Sequence, residues 1–205
     1  MKIFTYGRFN PPHKGHEMMI QKIINTAIEL GGTPVIVVSH SHLTENGKNP
    51  LNVNTKLRYL EKMFPNVEFK NSRNKSIAKI VENFENNSIM FHGNNRFKKN
   101  GTSQFEFLRK SGVKKFMKSG NRDPNAEGLT GYSATAVRAA AKRGNKNAME
   151  RLMSNKLKNN INNIITKLQN AERLRATPTA KRPRTARTPT PATKRPRRTA
   201  KRSPQ

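Results

Sequence analysis

The sequence predicts an α/β domain, in which helices cover both faces of a parallel sheet, followed by a disordered basic tail. Short apolar runs alternate along the chain with segments whose apolar residues recur at helical spacing. The run 35–38 is continuously apolar, as expected of a strand that is buried on both faces of a parallel sheet. From residue 176 onward the chain has no aliphatic residue larger than alanine, so that it cannot bury enough apolar surface to fold.

The first predicted strand covers residues 2–6, and a helix follows at residues 15–30. This helix has an apolar stripe that includes Ile23 and Ala27, and the pair Gly31-Gly32 ends it. The same patterns then predict a strand at 35–38, a helix at 54–63, a strand at 67–69 and a helix at 75–85.

The second half of the chain continues this alternation. The patterns predict a strand at 88–91, a helix at 104–110, a strand at 114–118, helices at 133–143 and 147–154, and an Asn-rich connecting or packing helix at 156–174. Such an alternation is typical of a Rossmann-like sheet. We expect one domain at residues 1–155, a connecting helix at 156–175 and a tail at 176–205.

The composition excludes several kinds of site. The chain has no cysteine, which excludes disulfides, thiolate zinc sites and cysteine nucleophiles. Its one aspartate is Asp123, so it is poorly equipped for a two-metal phosphoryl-transfer site, which needs clustered carboxylates. No apolar run approaches the roughly 20 residues that a membrane span needs. We also expect no signal peptide, because the first strand leads directly into a motif.

The net charge is +29, from 41 basic and 12 acidic residues. Residues 171–205 hold 12 of the basic residues and one acid, which leaves +18 on residues 1–170. A positive field of this size attracts polyanions such as nucleotides, nucleic acid or anionic membrane. The domain as well as the tail is therefore expected to bind anions.

The run 7–16, GRFNPPHKGH, directly follows the first strand, at the end of a parallel sheet where ligands bind. Gly7 permits close backbone approach, and Gly15 opens a helix whose N-terminus attracts phosphate. His13 and His16 are three residues apart at this helix start, so that both imidazoles can face one anion.

The basic side chains Arg8 and Lys14 complete a pattern that indicates a triphosphate site without a metal cage. Metal ligation by the two histidines is an alternative that their spacing allows, and a solvated basic turn is another. The fixed order of Gly, Phe, Pro, Gly and His just after a strand favours the phosphate site, and we predict no metal site.

This run resembles the first motif of the H-x-G-H nucleotidylyltransferase superfamily, which includes nicotinamide mononucleotide adenylyltransferase, glycerol-phosphate cytidylyltransferase and pantetheine-phosphate adenylyltransferase. The superfamily has a second motif of the form Ser-x-Thr-x-x-Arg, which opens a late helix and stands here at residues 133–138. Two motifs in the expected order are a stronger signal than either alone. The resemblance covers about residues 1–150.

The resemblance implies a nucleoside triphosphate (NTP) and a phosphorylated small-molecule acceptor as substrates, with Mg²⁺ carried by the nucleotide. It implies that His13 and His16 bind the triphosphate and stabilise the α-phosphate, and that Arg138 reaches the leaving pyrophosphate. The remaining residues that it implies in nucleotide binding are Gly7, Arg8, Phe9, Asn10, Lys14, Gly15, Gly93, Ser133 and Thr135.

The run Gly7-Arg8-Phe9 resembles the nicotinamide mononucleotide adenylyltransferase branch, because the cytidylyltransferase and pantetheine branches usually have Thr or Ser in place of Arg8. The turn after the fourth strand departs from the adenylyltransferase pattern, since Asn94 and Asn95 stand where an aspartate is common. Two alternatives stay open: a cytidylyltransferase that acts on a phospho-alcohol, and a non-catalytic nucleic-acid-binding protein of a virion or of chromatin.

Polar residues after the second strand, Ser39 to His42, also lie on the predicted ligand side. They are interpreted either as acceptor contacts or as an ordinary surface loop. In the tail, residues 176–205, proline favours an extended chain and basic clusters supply phosphate contacts without sequence readout. The clusters at 181–184 and 194–198 also resemble import signals. We expect a cytoplasmic, nuclear or virion location and no membrane partner. A homo-oligomer is possible.

Overall fold

The structure is a computed structural model that describes residues 1–42, 49–73, 75–84, 87–93, 101–119 and 131–176, with only the backbone for 101–105. Its centre is a five-stranded, wholly parallel sheet in the order β3-β2-β1-β4-β5. The strands are β1 (Lys2–Gly7), β2 (Thr33–Val38), β3 (Glu68–Asn71), β4 (Ser88–His92) and β5 (Val113–Lys118).

The described helices match the predicted ones to within a few residues. They are α1 (Lys14–Glu29), α2 (Val53–Met63), α3 (Ile77–Val81), α4 (Gly101–Lys110), α5 (Ala134–Lys142), α6 (Lys146–Leu152) and α7 (Ile161–Ala176). The helix predicted at 156–174 is divided, because residues Asn155–Asn160 form a 3-10 helix before α7 begins. Asparagine is a weak α-helix former, so this Asn-rich start favours the tighter turn.

Helices cover both faces of the sheet, which confirms the predicted fold class. Neighbouring residues of β1 point to opposite faces: Ile3 packs in the cluster formed with α1, α2 and α5 to α7, and Phe4 packs in the cluster formed with α3 and α4. The predicted buried run 35–38 is 0% exposed throughout. No described helix has the length and apolarity required to cross a bilayer.

The 3-10 helix and α7 pack into the same core as the sheet. The side chains they bury there are Leu157, Ile161, Ile164 and Leu168, and Ala171 of α7 is also buried. The Tyr59 hydroxyl of α2 donates to Asn163 Oδ1 over 3.0 Å, and Gln169 Nε2 donates to the Ala141 carbonyl of α5 over 3.0 Å. The C-terminal helix therefore holds α2 and α5 in place. The domain boundary at residue 155 stays a prediction, and the tail at 177–205 and Asp123 lie outside the described residues.

Candidate active site

The first motif lies at the point where the sheet changes its direction of winding. The chain runs from β1 outward to β2 and β3 on one side, and then returns to β4 and β5 on the other. In open parallel sheets the crevice at such a point, outside the carboxyl ends of the strands, is the usual ligand site. Gly7 ends β1 there, and residues 8–13 connect it to α1.

Gly7 makes room for Phe9. A Cβ atom at Gly7 would lie 2.6 Å from Cε2 of the Phe9 ring, which no relaxed contact allows. Phe9 is 1% exposed and has a left-handed backbone, with φ of +47°. Its ring centroid lies 4.9 Å from that of His16. Gly7 and Phe9 were both predicted to bind nucleotide. In the structure they shape the turn that supports His16.

The rings of the two histidines lie against each other at the start of α1, tilted by 37°. Their ring centroids are 3.8 Å apart. His13 is the N-cap residue, and its Nδ1 accepts a hydrogen bond from the Gly15 backbone N–H over 3.1 Å. Because Nδ1 accepts this bond, a neutral His13 carries its hydrogen on Nε2. The structure therefore brings the two predicted catalytic histidines together at a helix N-terminus, the end that attracts anions.

Gly15 allows this arrangement. A Cβ atom at Gly15 would lie 3.0 Å from His13 Cε1 and 3.3 Å from the Cβ of Tyr132. Tyr132 directly precedes the second motif, and its ring centroid lies 5.9 Å from Lys14 Nζ. The starts of α1 and α5 are thus in contact, although residues 15 and 132 are far apart in sequence.

The second motif opens α5, as predicted, but the Ser133 hydroxyl, predicted to bind phosphate, here acts as the N-cap. The Ser133 hydroxyl accepts a hydrogen bond from the Ala136 backbone N–H over 3.0 Å, and Ser133 is buried. Thr135 is exposed, and its hydroxyl accepts a hydrogen bond from Arg138 Nη2 over 3.1 Å. The hydroxyl of Ser133 is therefore occupied by capping, and the exposed N-terminus of α5 faces the ligand edge.

Arg138 joins the two motifs. Its Nη1 donates to the backbone carbonyl of Asn10 over 2.8 Å. Burial lowers the pKa of Arg138, and the positive charge of Arg8 lowers it further. Two guanidinium groups close enough to repel one another, beside two helix N-termini, are stabilised by a bound anion.

The Asn10 side chain holds a loop. Its Nδ2 donates to the Leu51 carbonyl over 2.8 Å, and its Oδ1 accepts from the Leu51 N–H over 2.9 Å. Leu51 directly precedes α2 and its capping residue, Asn52. Asn10 thus fixes the start of α2 against the first motif, and nucleotide binding by Asn10 stays a prediction.

Gly93 lies exposed just after β4 at the same edge of the sheet. A Cβ atom there would meet no described atom within 4 Å. The preceding residue, His92, is buried, and its carbonyl accepts hydrogen bonds from the Ser119 N–H over 2.9 Å and the Ser119 hydroxyl over 3.2 Å. The predicted turn with Asn94 and Asn95 lies outside the described residues.

Lys56 is a residue of this region that the sequence analysis missed. It is 0% exposed, and its ammonium group donates to the carbonyls of Ser39 and Ser41, just after β2. The helical spacing could have identified it as buried, because Lys56 lies on the apolar stripe of α2 with Val53, Leu60 and Met63. A lysine on such a stripe requires polar partners.

The described residues contain no group of three or more His, Asp or Glu side chains that is placed to hold a metal ion. Mg²⁺ carried by the nucleotide stays a prediction.

Comparison with known protein families identifies a family to which the chain is similar. A family model described as cytidylyltransferase-like matches residues 4–140. The matched region is about two thirds of the chain and contains both motifs. No curated protein has significant sequence similarity to the chain.

Proposed function

The chain belongs to the cytidylyltransferase-like family of nucleotidyltransferases, and we propose that it transfers a nucleoside monophosphate from an NTP to a phosphate-bearing acceptor. The observation that carries this proposal is the contact between the two motifs. Arg138, on the helix that Ser133 caps, donates to the Asn10 carbonyl in the first motif, near the adjacent rings of His13 and His16.

The reaction needs positioned positive charge. An oxygen of the acceptor phosphate attacks the α-phosphorus of the NTP, the bond from the α-phosphorus to the bridging oxygen breaks, and pyrophosphate leaves with that electron pair. No covalent intermediate with the protein forms. His13 and His16 stabilise the charge on the α-phosphate, while the α5 N-terminus and Arg138 bind the departing phosphates. Mg²⁺ enters on the nucleotide and neutralises part of its charge.

Adenylyl transfer to nicotinamide mononucleotide is the branch that we favour. The support is the run Gly7-Arg8-Phe9, in which an arginine stands where the cytidylyltransferase branch usually has Thr or Ser. Arg8 is exposed at the ligand edge and close enough to Arg138 to lower its pKa, so it adds charge where an anionic substrate would bind. Cytidylyl transfer to a phospho-alcohol is the alternative.

The test is pyrophosphate release by the full-length chain with Mg²⁺. ATP and CTP are each paired with nicotinamide mononucleotide and with glycerol 3-phosphate. Release with ATP and nicotinamide mononucleotide, lost in His16→Ala, supports the favoured branch. Release with CTP alone supports the alternative. If no pair gives release above the His16→Ala background, the proposed transferase activity is wrong.

Binding of nucleic acid by the tail is a second candidate function. The specific observation is the charge, because residues 177–205 carry ten basic side chains and no acid. Contacts of this kind depend steeply on salt and do not read sequence. Deletion of residues 177–205, which leaves α7 whole, should abolish most salt-sensitive DNA binding. Equal binding by the shortened and full-length chains would contradict this role.

A further inference from the structure

We propose that Lys56 is a positioning residue, which holds the loop after β2 at the side of the site where the acceptor binds. This loop, residues 39–42, is called the β2 loop below. The inference rests on the proposed transferase function, because it assigns a role in acceptor binding.

The first support is the way in which the Lys56 ammonium group is buried. Lys56 is 0% exposed and lies on the core-facing side of α2. Its Nζ donates to the carbonyl of Ser39 and, over 3.3 Å, to the carbonyl of Ser41. The Ser39 carbonyl is buried and needs a donor, and a chain leaving a strand end has no neighbouring strand to supply one. A methionine of similar length would leave both carbonyls without this donor.

The second support is that the same loop is bonded to the first motif and to β3. The Ser39 N–H donates to the Gly7 carbonyl over 2.8 Å. The His40 N–H donates to the Ser72 hydroxyl over 3.0 Å, and His40 Nδ1 lies 3.3 Å from Asn71 Oδ1. Lys56 is therefore the contact from α2 in a loop that is fixed on three sides.

The third support is the position of the β2 loop along the sheet edge. The residues proposed to bind the nucleotide follow the ends of β1 and β4 and open α5. The opposite side of β1 is bordered by β2, where Gly7 pairs with Val38. The acceptor must approach the α-phosphate from the side opposite the leaving pyrophosphate, so the β2 loop borders its path. Ser41 and His42 are exposed there.

The charge of Lys56 also acts on the pKa of a histidine in the β2 loop. Partial burial lowers the pKa of His42, and the positive charge of Lys56 lowers it further, while a backbone hydrogen bond at Pro50 raises it. Lys56 thus fixes the backbone of the β2 loop and adds positive potential beside it. Both effects favour an acceptor that carries a phosphate.

The experiment compares Lys56→Met with Lys62→Met in the full-length chain. Lys62 lies on the same helix but is exposed and bonds Asn160 Oδ1, so it controls for loss of a lysine from α2. We expect Lys56→Met to raise the acceptor KM about tenfold, the effect of losing one hydrogen bond to a charged group. The NTP KM should stay within about twofold, and Lys62→Met should match the parent chain.

A second measurement follows backbone amide exchange in the same proteins. In Lys56→Met the amides of Ser39 and His40 should exchange faster, while that of Ile36, in the middle of β2, keeps its rate. If Lys56→Met does not fold, Lys56→Gln takes its place, because the glutamine side chain is one bond shorter and does not reach both carbonyls. An unchanged acceptor KM overturns the proposal. It is also overturned if the KM values of both substrates rise equally and the Ile36 amide exchanges faster as well.

The two proposals fail in different ways. A parent chain without transferase activity refutes the proposed function, and the amide exchange of Ser39 and His40 then still decides whether Lys56 positions the loop.

Discussion

At the scale of single residues, the site depends on side chains that hold one another. The His16 ring contacts the rings of Phe9 and His13, at centroid distances of 4.9 and 3.8 Å. Phe9 in turn occupies the space that a side chain at Gly7 would fill. A group fixed in this way loses little entropy when substrate binds, which is the preorganisation that charge stabilisation requires.

We expect His16→Ala to lower kcat by about 10² to 10³, the usual effect of removing one group that stabilises transition-state charge. The unfolding midpoint should change little, because His16 is only partly buried. Steady-state kinetics and thermal unfolding measure the two effects. Gln21→Ala, an exposed change on the same helix, is the control. A His16→Ala chain with parental kcat would remove His16 from the mechanism.

Gly7→Ala should destabilise the chain by about 1 to 3 kcal/mol, because the new Cβ must displace the buried Phe9 ring. The same methyl group at Gly93 meets no described atom within 4 Å, so that Gly93→Ala should cost less. Denaturant unfolding of both variants gives the comparison. Equal costs at the two positions would mean that the Phe9 ring does not fix the turn.

Lys56 should give the stability a particular pH dependence. Burial lowers its pKa from 10.5 to about 8 in the folded chain. Between these two values the unfolded chain binds more protons than the folded chain, so stability rises with pH across this window. The rise from this one group is at most about 3 kcal/mol. A neutral amine keeps two N–H donors for its two carbonyls, so the loop contacts survive.

Unfolding of Lys56→Met and Lys62→Met at pH 7.5 and pH 10 isolates this effect from the other lysines. The parent chain and Lys62→Met should gain stability relative to Lys56→Met as pH rises. A constant difference between Lys56→Met and the parent chain would show that the Lys56 pKa is not lowered.

At the scale of elements, periodicity identified the strands and helices, because it depends on which face of a segment is buried. Val35 to Val38 and the stripe of α2 needed no information from elsewhere in the chain. Contacts between distant segments could not be read in the same way. Asn10 and Leu51 are 41 positions apart, and neither residue by itself indicates their paired hydrogen bonds.

For the candidate site, too, the sequence predicted the local motifs but not the contacts between distant segments. The two motifs identified His13, His16 and Ser133, which the structure places at the starts of α1 and α5. The sequence did not show that Arg138 bonds the Asn10 carbonyl or that Lys56 is buried, since both depend on how α5 and α2 pack.

Two helix caps separate stability from function at this scale. Ser133 caps α5 at the ligand edge, and Ser76 caps α3 on the other face of the sheet. Replacing either serine by alanine should cost about 1 kcal/mol of stability. We expect only Ser133→Ala to raise the NTP KM, because α5, unlike α3, presents its N-terminus to the phosphates. If both variants raise it equally, the effect is general loosening of the fold.

At the scale of the whole molecule, the core extends beyond the region that the family model matches. That region ends at residue 140, whereas buried side chains continue through the 3-10 helix and α7 to Ala171. These C-terminal helices contact the elements that carry the site. Ser154 donates to Glu17 on α1 over 2.8 Å, and Lys142 forms a 2.7 Å ion pair with Glu172 across α5 and α7. The positive charge, by contrast, is concentrated toward the end of the chain.

Two truncations distinguish these parts of the chain. Deletion of residues 155–205 removes Leu157, Ile161, Ile164 and Leu168 from the core. Each such side chain contributes about 1.5 to 3 kcal/mol, so that their sum approaches the whole stability of an ordinary domain. We expect this protein to be unfolded by circular dichroism. Deletion of residues 177–205 should leave the unfolding midpoint and kcat unchanged while DNA affinity loses most of its salt dependence. A chain that ends at residue 154 and still folds would show that α7 is dispensable, and loss of kcat on removal of residues 177–205 would show that the tail takes part in catalysis.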